Sequence, residues 1–307
     1  MDELAFPKIT IITPSYNQGD FIEETILSVI KQDYPNIEYI VTDGGSTDKT
    51  VDILRKYDDR ISYWVSEPDK GQADAINKGL KKATGDIIAF INSDDYYEPG
   101  TFKFVAEEYK KGHHWIIGSV RNFRVETGES YIIQQKTNNQ VFDWLLRVNE
   151  NHQPGNFWSR KVLEQVGYMD EKLHYSFDWE YWVRFVVNKF EPVVHNDQVL
   201  ANFRLHNDSK TVKYWRNFNQ EFIEIINRYK LNLSLSEIKM ADKEIRKLLV
   251  NEKIKFGRIE SINGKFGNSI SYFKEAYKIS PAVIFSPNFL FEFFKAILYM
   301  PLRNKLG

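Results

Sequence analysis

Asp94 and Asp95 stand side by side at the end of Ile87-Ile-Ala-Phe-Ile-Asn-Ser-Asp-Asp95. Adjacent carboxylates repel each other unless a cation lies between or beside them. Their hard oxygens suit Mg²⁺ or Mn²⁺, ions that keep several waters and take only one or two protein carboxylates. The remaining coordination would come from a diphosphate, whose charge has to be neutralised as it leaves. A solvated turn or a helix N-cap is the plainer reading of the same two residues. Their setting decides between the two. The apolar run over residues 87–91 reads as a central strand buried on both faces, and three other polar strand ends accompany it.

The elements that must hold this pair are legible as two alternating hydrophobic periods over residues 1–110. Residues 8–13 form a β-branched strand. A helix begins at Asp20, with Glu23 three residues on as a capping box and Ile22, Ile26, Val29 and Ile30 as its buried stripe. A strand over 38–42, a short helix over 50–57 and a strand over 61–66 follow. The helix over 72–84 puts Ala73, Ile76, Leu80 and Ala83 on one face and stops at Gly85 in the C′ position. This βαβαβαβ order predicts an α/β fold, a doubly wound, mostly parallel sheet flanked by helices. Ligands of such sheets bind beyond the carboxyl ends of the strands. Thr13-Pro-Ser-Tyr-Asn17, Asp43-Gly-Gly-Ser-Thr-Asp48, Glu67-Pro-Asp-Lys-Gly71 and Asn92-Ser-Asp-Asp95 all fall there and predict one shared crevice.

Beyond residue 113 the pattern is mixed. Strands are expected over 115–123 and 130–135, joined by Thr127-Gly128-Glu129, with helices over 141–147, 160–166 and 179–188. From about residue 213 the chain reads as helical, and the stretch 267–281 resembles the second half of a tetratricopeptide-type hairpin or, more plainly, a helical cap. A chain of 307 residues exceeds what one small core needs. The expected division is a catalytic domain over 1–210, with halves over 1–112 and 113–210, and a helical C-terminal extension over 211–307.

Composition excludes several classes. The 41 basic and 42 acidic residues nearly balance, so nucleic acid is not an expected partner. No cysteine is present, which removes disulfides, thiolate metal sites and cysteine nucleophiles. Met1–Lys8 lacks a basic n-region and an apolar h-region, so no signal peptide is expected. No run has the roughly 18 uncharged apolar residues a membrane span requires. Walker A, G-x-G-x-x-G and G-x-S-x-G patterns are missing from the sequence, against P-loop, dehydrogenase and hydrolase readings. The expected location is the cytoplasm, with the inner face of the cell membrane as its extension.

In order and spacing, Thr13-Pro-Ser-Tyr-Asn17, Asp43-Gly-Gly-Ser-Thr-Asp48 and Asn92-Ser-Asp-Asp95 resemble the family 2 inverting glycosyltransferases of the GT-A fold, of the bacterial surface-polysaccharide type. The resemblance runs over residues 8–206. It implies a nucleotide-sugar donor, UDP-linked as the first guess, a saccharide or lipid-linked acceptor, and a bound Mg²⁺ or Mn²⁺ at Asp94 and Asp95. Thr13, Ser15 and Tyr16 would line the nucleotide pocket, and Asp43 would reach the base or ribose. Asp69, Asp74, Asn92 and Ser93 would stand beside the nucleoside and sugar. His206 would contact the diphosphate or metal, with Arg204 structural. Three positions depart from the pattern: Gly44 and Phe177 replace acids, and Asn92 stands where a third carboxylate often sits.

Inverting transfer needs a general base for the acceptor hydroxyl. By the same resemblance, His174-Tyr-Ser-Phe-Asp-Trp-Glu-Tyr-Trp-Val-Arg184 supplies it, with Asp178 as the base and Glu180 in reserve. Read locally, Asp178 is an N-cap of the helix that follows. Trp179 and Trp182 would wall the cleft or stack on sugar. The apolar, aromatic tail over 284–306 reads two ways, docking at a lipid surface near Lys295, Arg303 and Lys305, or packing on the catalytic domain or a second copy of the chain. The rival functions are a sugar nucleotidyltransferase, which would carry a Gly-rich basic loop after the first strand, and a catalytically silent binding or scaffold module.

Overall fold

The computed structural model describes residues 6–135, 140–146, 151–206 and 215–303. The chain divides into two compact units, Met1–Glu221 and Phe222–Gly307. The boundary expected near residue 210 lies outside the described residues.

Unit 1 opens with β1 (Ile9–Ser15), α1 (Ile22–Ile30), β2 (Ile37–Asp43), α2 (Thr50–Lys56), β3 (Tyr63–Ser66), α3 (Gln72–Lys82) and β4 (Ile87–Phe90). It continues with β5 (Tyr96–Tyr97), α4 (Thr101–Lys110), β6 (Trp115–Arg124), β7 (Ser130–Ile133), α5 (Val141–Leu146), β8 (Asn156–Ser159), α6 (Arg160–Val166), α7 (Phe177–Val187), β9 (Val193–Leu205) and the start of α8 (Trp215–Tyr229). The strands lie in one sheet in the order β3-β2-β1-β4-β8-β6-β9-β5, with β7 on β6. β1 pairs in parallel with both β2 and β4, and β2 with β3. The expected doubly wound half is therefore present. The chain winds from β1 to β3 in one direction and returns to β4 on the other side, so the order reverses between β1 and β4, the place where such sheets bind ligands. Every residue of β1 and β4 is buried, as their β-branched runs require.

The second half turns the sheet mixed. β8 runs antiparallel to β4 and β6, while β6 and β9 are parallel. Its core is aromatic: Trp115 lies 4.8 Å from Trp144 and 5.9 Å from Trp182, ring to ring. Trp179 is 6% exposed and donates its indole N–H to the Trp144 carbonyl. Both Trp179 and Trp182 are thus core residues, and neither offers a sugar-stacking face.

Three local expectations need correction. α1 starts at Ile22 with no side-chain cap. The Gln18 carbonyl accepts from both Phe21 N and Ile22 N, so Asp20 has no cap to make and pairs with Lys49 at 2.7 Å. Gly85 is not a left-handed helix stop. Its N–H bonds Thr10 Oγ1, and a Cβ there would come within 2.8 Å of the Lys8 carbonyl. Finally, α7 begins at Phe177 with Ser176 in the cap position, which places Asp178 inside the first turn. Residue 147, expected to end a helix, lies outside the described residues.

Unit 2 consists of the rest of α8, α9 (Leu235–Ile262), α10 (Phe266–Ile279) and α11 (Pro287–Arg303). Ser234 and Glu237 form a reciprocal capping box at the start of α9. The core of this unit gathers Val250, Phe273, Ala276, Val283, Phe289 and Ala296. Among the described residues, no helix is long and apolar enough to cross a membrane.

Candidate active site

The loops after β1 and β2 are laced together. Ser15 and Asp43 end their strands in register. The Asp43 carboxylate is buried and accepts from Gly45 N (3.1 Å), Ser46 N (2.8 Å), Ser46 Oγ and Ser66 Oγ (2.6 Å). Asn17 joins in from the first loop: its N–H donates to Ser46 Oγ and its Oδ1 accepts from Thr47 N. Asp43 is thus the hub of its own loop, with donors on both oxygens. Thr13 is fully buried, its hydroxyl 3.1 Å from that of Tyr39. Ser15 Oγ is buried at the end of β1 without a hydrogen-bond partner.

Tyr16 is 60% exposed and its ring lies over Gly44. A Cβ at Gly44 would stand 3.3 Å from Tyr16 Cδ2 and 2.5 Å from Asp69 Oδ2. The departure at Gly44 therefore has a steric reason, since the Asp69 carboxylate fills the space a side chain there would need. Asp69 is held by Gly71 N at 2.8 Å. Asp74 accepts from Lys70 N at 3.0 Å, which closes the first turn of α3.

After β4 the two acids part. Asp95 is 1% exposed, and Arg204 N donates to its Oδ1 at 2.9 Å while Asn92 Nδ2 reaches its Oδ2 at 3.3 Å. Burial, and then the charge of Asp94, push the Asp95 carboxyl well above the usual carboxylate range, against those two hydrogen bonds. Asp94 faces the other way, with Oδ2 3.0 Å from His206 Nε2. The His206 ring packs on Phe21 at 5.0 Å. Arg204 Nε donates to the Asp94 carbonyl, and its guanidinium lies over Phe21 and Phe123 and pairs with Glu24. Thr25 bolts the loop from below, its hydroxyl within reach of the carbonyls of Ser93 and Asp95. Ser93 is itself buried, and Asn92 Oδ1 accepts from Gln72.

Asp94 and His206 fit a hard divalent ion. Neighbouring corners of an octahedral shell with metal–ligand bonds of about 2.1 Å lie about 3.0 Å apart, the separation these two atoms already have. Asp95 is instead bonded to the protein through Arg204 N and Asn92 Nδ2, so the pair divides into a partly exposed carboxylate at Asp94 and a buried anchor at Asp95.

The lead-in to α7 reaches the same strand ends. His174 Nδ1 lies 3.1 Å from where a Gly71 Cβ would be, and Phe177 packs on Phe90, the last residue of β4, at 6.4 Å. Gln153 donates to the Phe90 carbonyl from the other side. Asp178 is partly exposed in the first turn of α7. Glu180 is 1% exposed and bonded to Arg184 Nε at 3.0 Å, a structural pairing inside the helix packing.

One residue here was invisible to sequence reasoning. The Glu221 carboxylate, from α8, accepts the backbone N–H groups of His174, Tyr175 and Ser176 at 2.7, 2.9 and 2.7 Å. It ties down the segment that leads into α7, up to the cap residue Ser176, whose own side chain makes no cap bond. Phe218 backs it by packing on Tyr175 at 5.3 Å. No local signal marks Glu221, because its partners lie 45 to 47 residues away.

A sequence profile described as "Glycosyl transferase family 2" matches residues 10–167. The putative teichuronic acid biosynthesis glycosyltransferase TuaG of Bacillus subtilis is 45% identical over 95 residues, covering 30% of this chain and 38% of that protein. An uncharacterized glycosyltransferase of Rickettsia typhi is 26% identical over 244 residues, 76% of this chain and 75% of that one. Among solved structures, S. aureus TarS 1–349 in complex with UDP-GlcNAc superposes with a TM-score of 0.60 at 18% identity, over 95% of this chain and 89% of that chain. The mannosyltransferase PcManGT from Pyrobaculum calidifontis, in complex with GDP-Man and Mn²⁺, gives 0.57 at 16%, over 97% and 87%. At these identities the likeness is one of fold.

Proposed function

This chain belongs to glycosyl transferase family 2, and from that premise we propose that it moves a sugar from a nucleoside diphosphate, UDP first, onto an acceptor hydroxyl with inversion at the anomeric carbon. The acceptor class, a surface polysaccharide or its lipid-linked precursor, is supported by the teichuronic acid role in the name of TuaG. UDP is supported by the UDP-GlcNAc complex of TarS, and a divalent metal by the Mn²⁺ complex of PcManGT.

The observation that carries this reading is the Asp94–His206 pair, 3.0 Å apart at the reversal point of the sheet. These two residues would hold Mg²⁺ or Mn²⁺, whose positive charge would offset that of the leaving diphosphate. Asp95 anchors the loop through Arg204 N–H. Tyr16 offers an exposed ring to the base, Asp69 and the Asp43 loop lie beside it, and Ser15 supplies a hydroxyl. Asp178 is the base. As the acceptor oxygen bonds to the anomeric carbon, the bond from that carbon to the diphosphate breaks, its electron pair leaves with the diphosphate, and the hydroxyl proton passes to the Asp178 carboxylate. Glu180, committed to Arg184, has no part in this step.

The tail's contact with a lipid surface belongs to the same proposal. It is supported by Phe285, Phe291, Phe294 and Leu298, which are 81%, 66%, 55% and 68% exposed. Sedimentation with and without anionic vesicles separates this from self-association, which would appear without lipid.

Calorimetry with UDP and Mn²⁺ tests the donor site, and Asp178→Asn tests the base. The variant should bind donor normally and lose roughly 10²–10⁴-fold in transfer rate. Wild-type protein that binds no UDP in the presence of Mn²⁺ would end the donor reading, and full transfer by Asp178→Asn would end the assignment of the base.

A further inference from the structure

A second group of metal-ligating side chains sits at the other end of β9 from His206. Glu108 lies in the last turn of α4, His113 follows the Gly112 turn, and His195 stands in β9 opposite Gly118 of β6. Glu108 Oε2 is 2.9 Å from His113 Nδ1 and 3.1 Å from His195 Nε2, and one ligand atom from each residue lies within 4.8 Å of the others. Among the described residues, no other three such side chains converge this way.

Ordinary hydrogen bonding accounts for only part of this arrangement. His113 bonds the carboxylate, whereas His195 Nε2 is buried at ligand distance yet out of line for a hydrogen bond. The His195 ring is fixed by Phe104, edge to face at 5.0 Å. Lys111 takes the other carboxylate oxygen, which leaves Oε2 as a single donor aimed between the imidazoles. Ligand atoms on a tetrahedral ion with bonds of about 2.0–2.1 Å stand roughly 3.3 Å apart, within a few tenths of an ångström of the two separations observed here. The His113 and His195 side chains keep 31% and 22% exposure, enough for water to complete the shell.

We propose that Glu108, His113 and His195 bind a zinc-type transition-metal ion with two nitrogen ligands and one oxygen ligand, separate from the hard-ion position at Asp94 and His206. The ion clamps the turn after α4 onto the start of β9. Its role is structural, because the Asp94–His206 pair stands at the far end of that strand.

The test uses the full chain without a histidine tag, carrying Asp94→Ala and His206→Ala so that the other position is silent. Titration with Zn²⁺ should show one saturable equivalent and a rise in Tm. His195→Ala or Glu108→Gln should weaken that uptake about tenfold or more, and Co²⁺ should give the intense visible bands of a tetrahedral site. His113→Asn, on the exposed turn, should do the same without loss of folding, checked by metal-free thermal denaturation. Zn²⁺ uptake that is absent, or that survives both His195→Ala and His113→Asn in folded protein, overturns the proposal and leaves a hydrogen-bonded trio.

Discussion

Asp94 Oδ2 and His206 Nε2 lie 3.0 Å apart although 112 residues separate them in the chain. One comes from the loop after the central strand β4 and the other from the residue after β9, so the pair exists only when both halves of the sheet are in place. Asp95, next to Asp94 in sequence, is committed elsewhere. The two acids should therefore fail differently when replaced.

Asp94→Ala and His206→Ala should each weaken Mn²⁺-dependent UDP binding by about 10–100-fold at little cost in stability. Asp95→Ala should instead lower the melting temperature, since it strips the Arg204 N–H of a buried acceptor at a cost of about 1–3 kcal/mol. Calorimetry beside thermal denaturation reads the split. Equal loss of metal-dependent binding with no change in Tm for Asp95→Ala would return Asp95 to the metal shell.

Gly44→Asp should weaken UDP binding, because its side chain meets the Asp69 carboxylate and leaves two acids crowded in one space. Adding Asp69→Gly should restore most of the affinity, with the carboxylate supplied from position 44. If the double variant binds UDP no better than Gly44→Asp alone, Asp69 does more than occupy that space.

Glu221→Gln keeps the shape of the cap but halves its accepting oxygens, and Glu221→Ala removes it. Each should cost about 1–3 kcal/mol of stability, read as a lower urea midpoint, and lower kcat with donor affinity unchanged, because the three amides it holds lead into Asp178. A loss of stability with kcat intact would make Glu221 a structural cap only.

His152 gives a pH dependence with a fixed sign. Burial lowers its pKa from 6.5 to about 4, so the folded state binds this proton less readily than the unfolded chain. The stabilisation is complete above pH 6.5 and is lost as the pH falls from 6.5 toward 4, amounting to at most about 3 kcal/mol. Urea midpoints measured across that window should fall less steeply for His152→Gln than for the wild type. Parallel curves would mean that carboxylates alone set the acid limb.

The first half of the fold was legible because its signals are local. β-branched runs gave β1 and β2, the all-apolar run gave β4, and turn residues marked the ends where Asp94 and Tyr16 stand. What the sequence hid were matters of direction and distance. Asp94 sits in a turn closed by the Asp95 N–H on the Asn92 carbonyl, and that turn sends the two carboxylates to different partners, Asp94 to His206 and Asp95 to the Arg204 N–H. At Gly44 an acid is missing because the Asp69 carboxylate, 25 residues on, fills the space its side chain would need. Glu221 left no trace, since a cap supplied from another helix has no spacing rule. The profile match ends at residue 167, and Asp178, His206 and Glu221 all lie beyond it.

β9 carries Arg204 in its last turn of pairing and His206 immediately after, both fastened to the loop that holds Asp94. On the ribosome, the half that carries β1 to β4 emerges first. It stays without the His206 partner of Asp94 and without the amide that fixes Asp95 until β9 has been made and laid beside β6. The Asp94–His206 pair is thus assembled late in synthesis, and a chain cut short before β9 carries the motif without its partner.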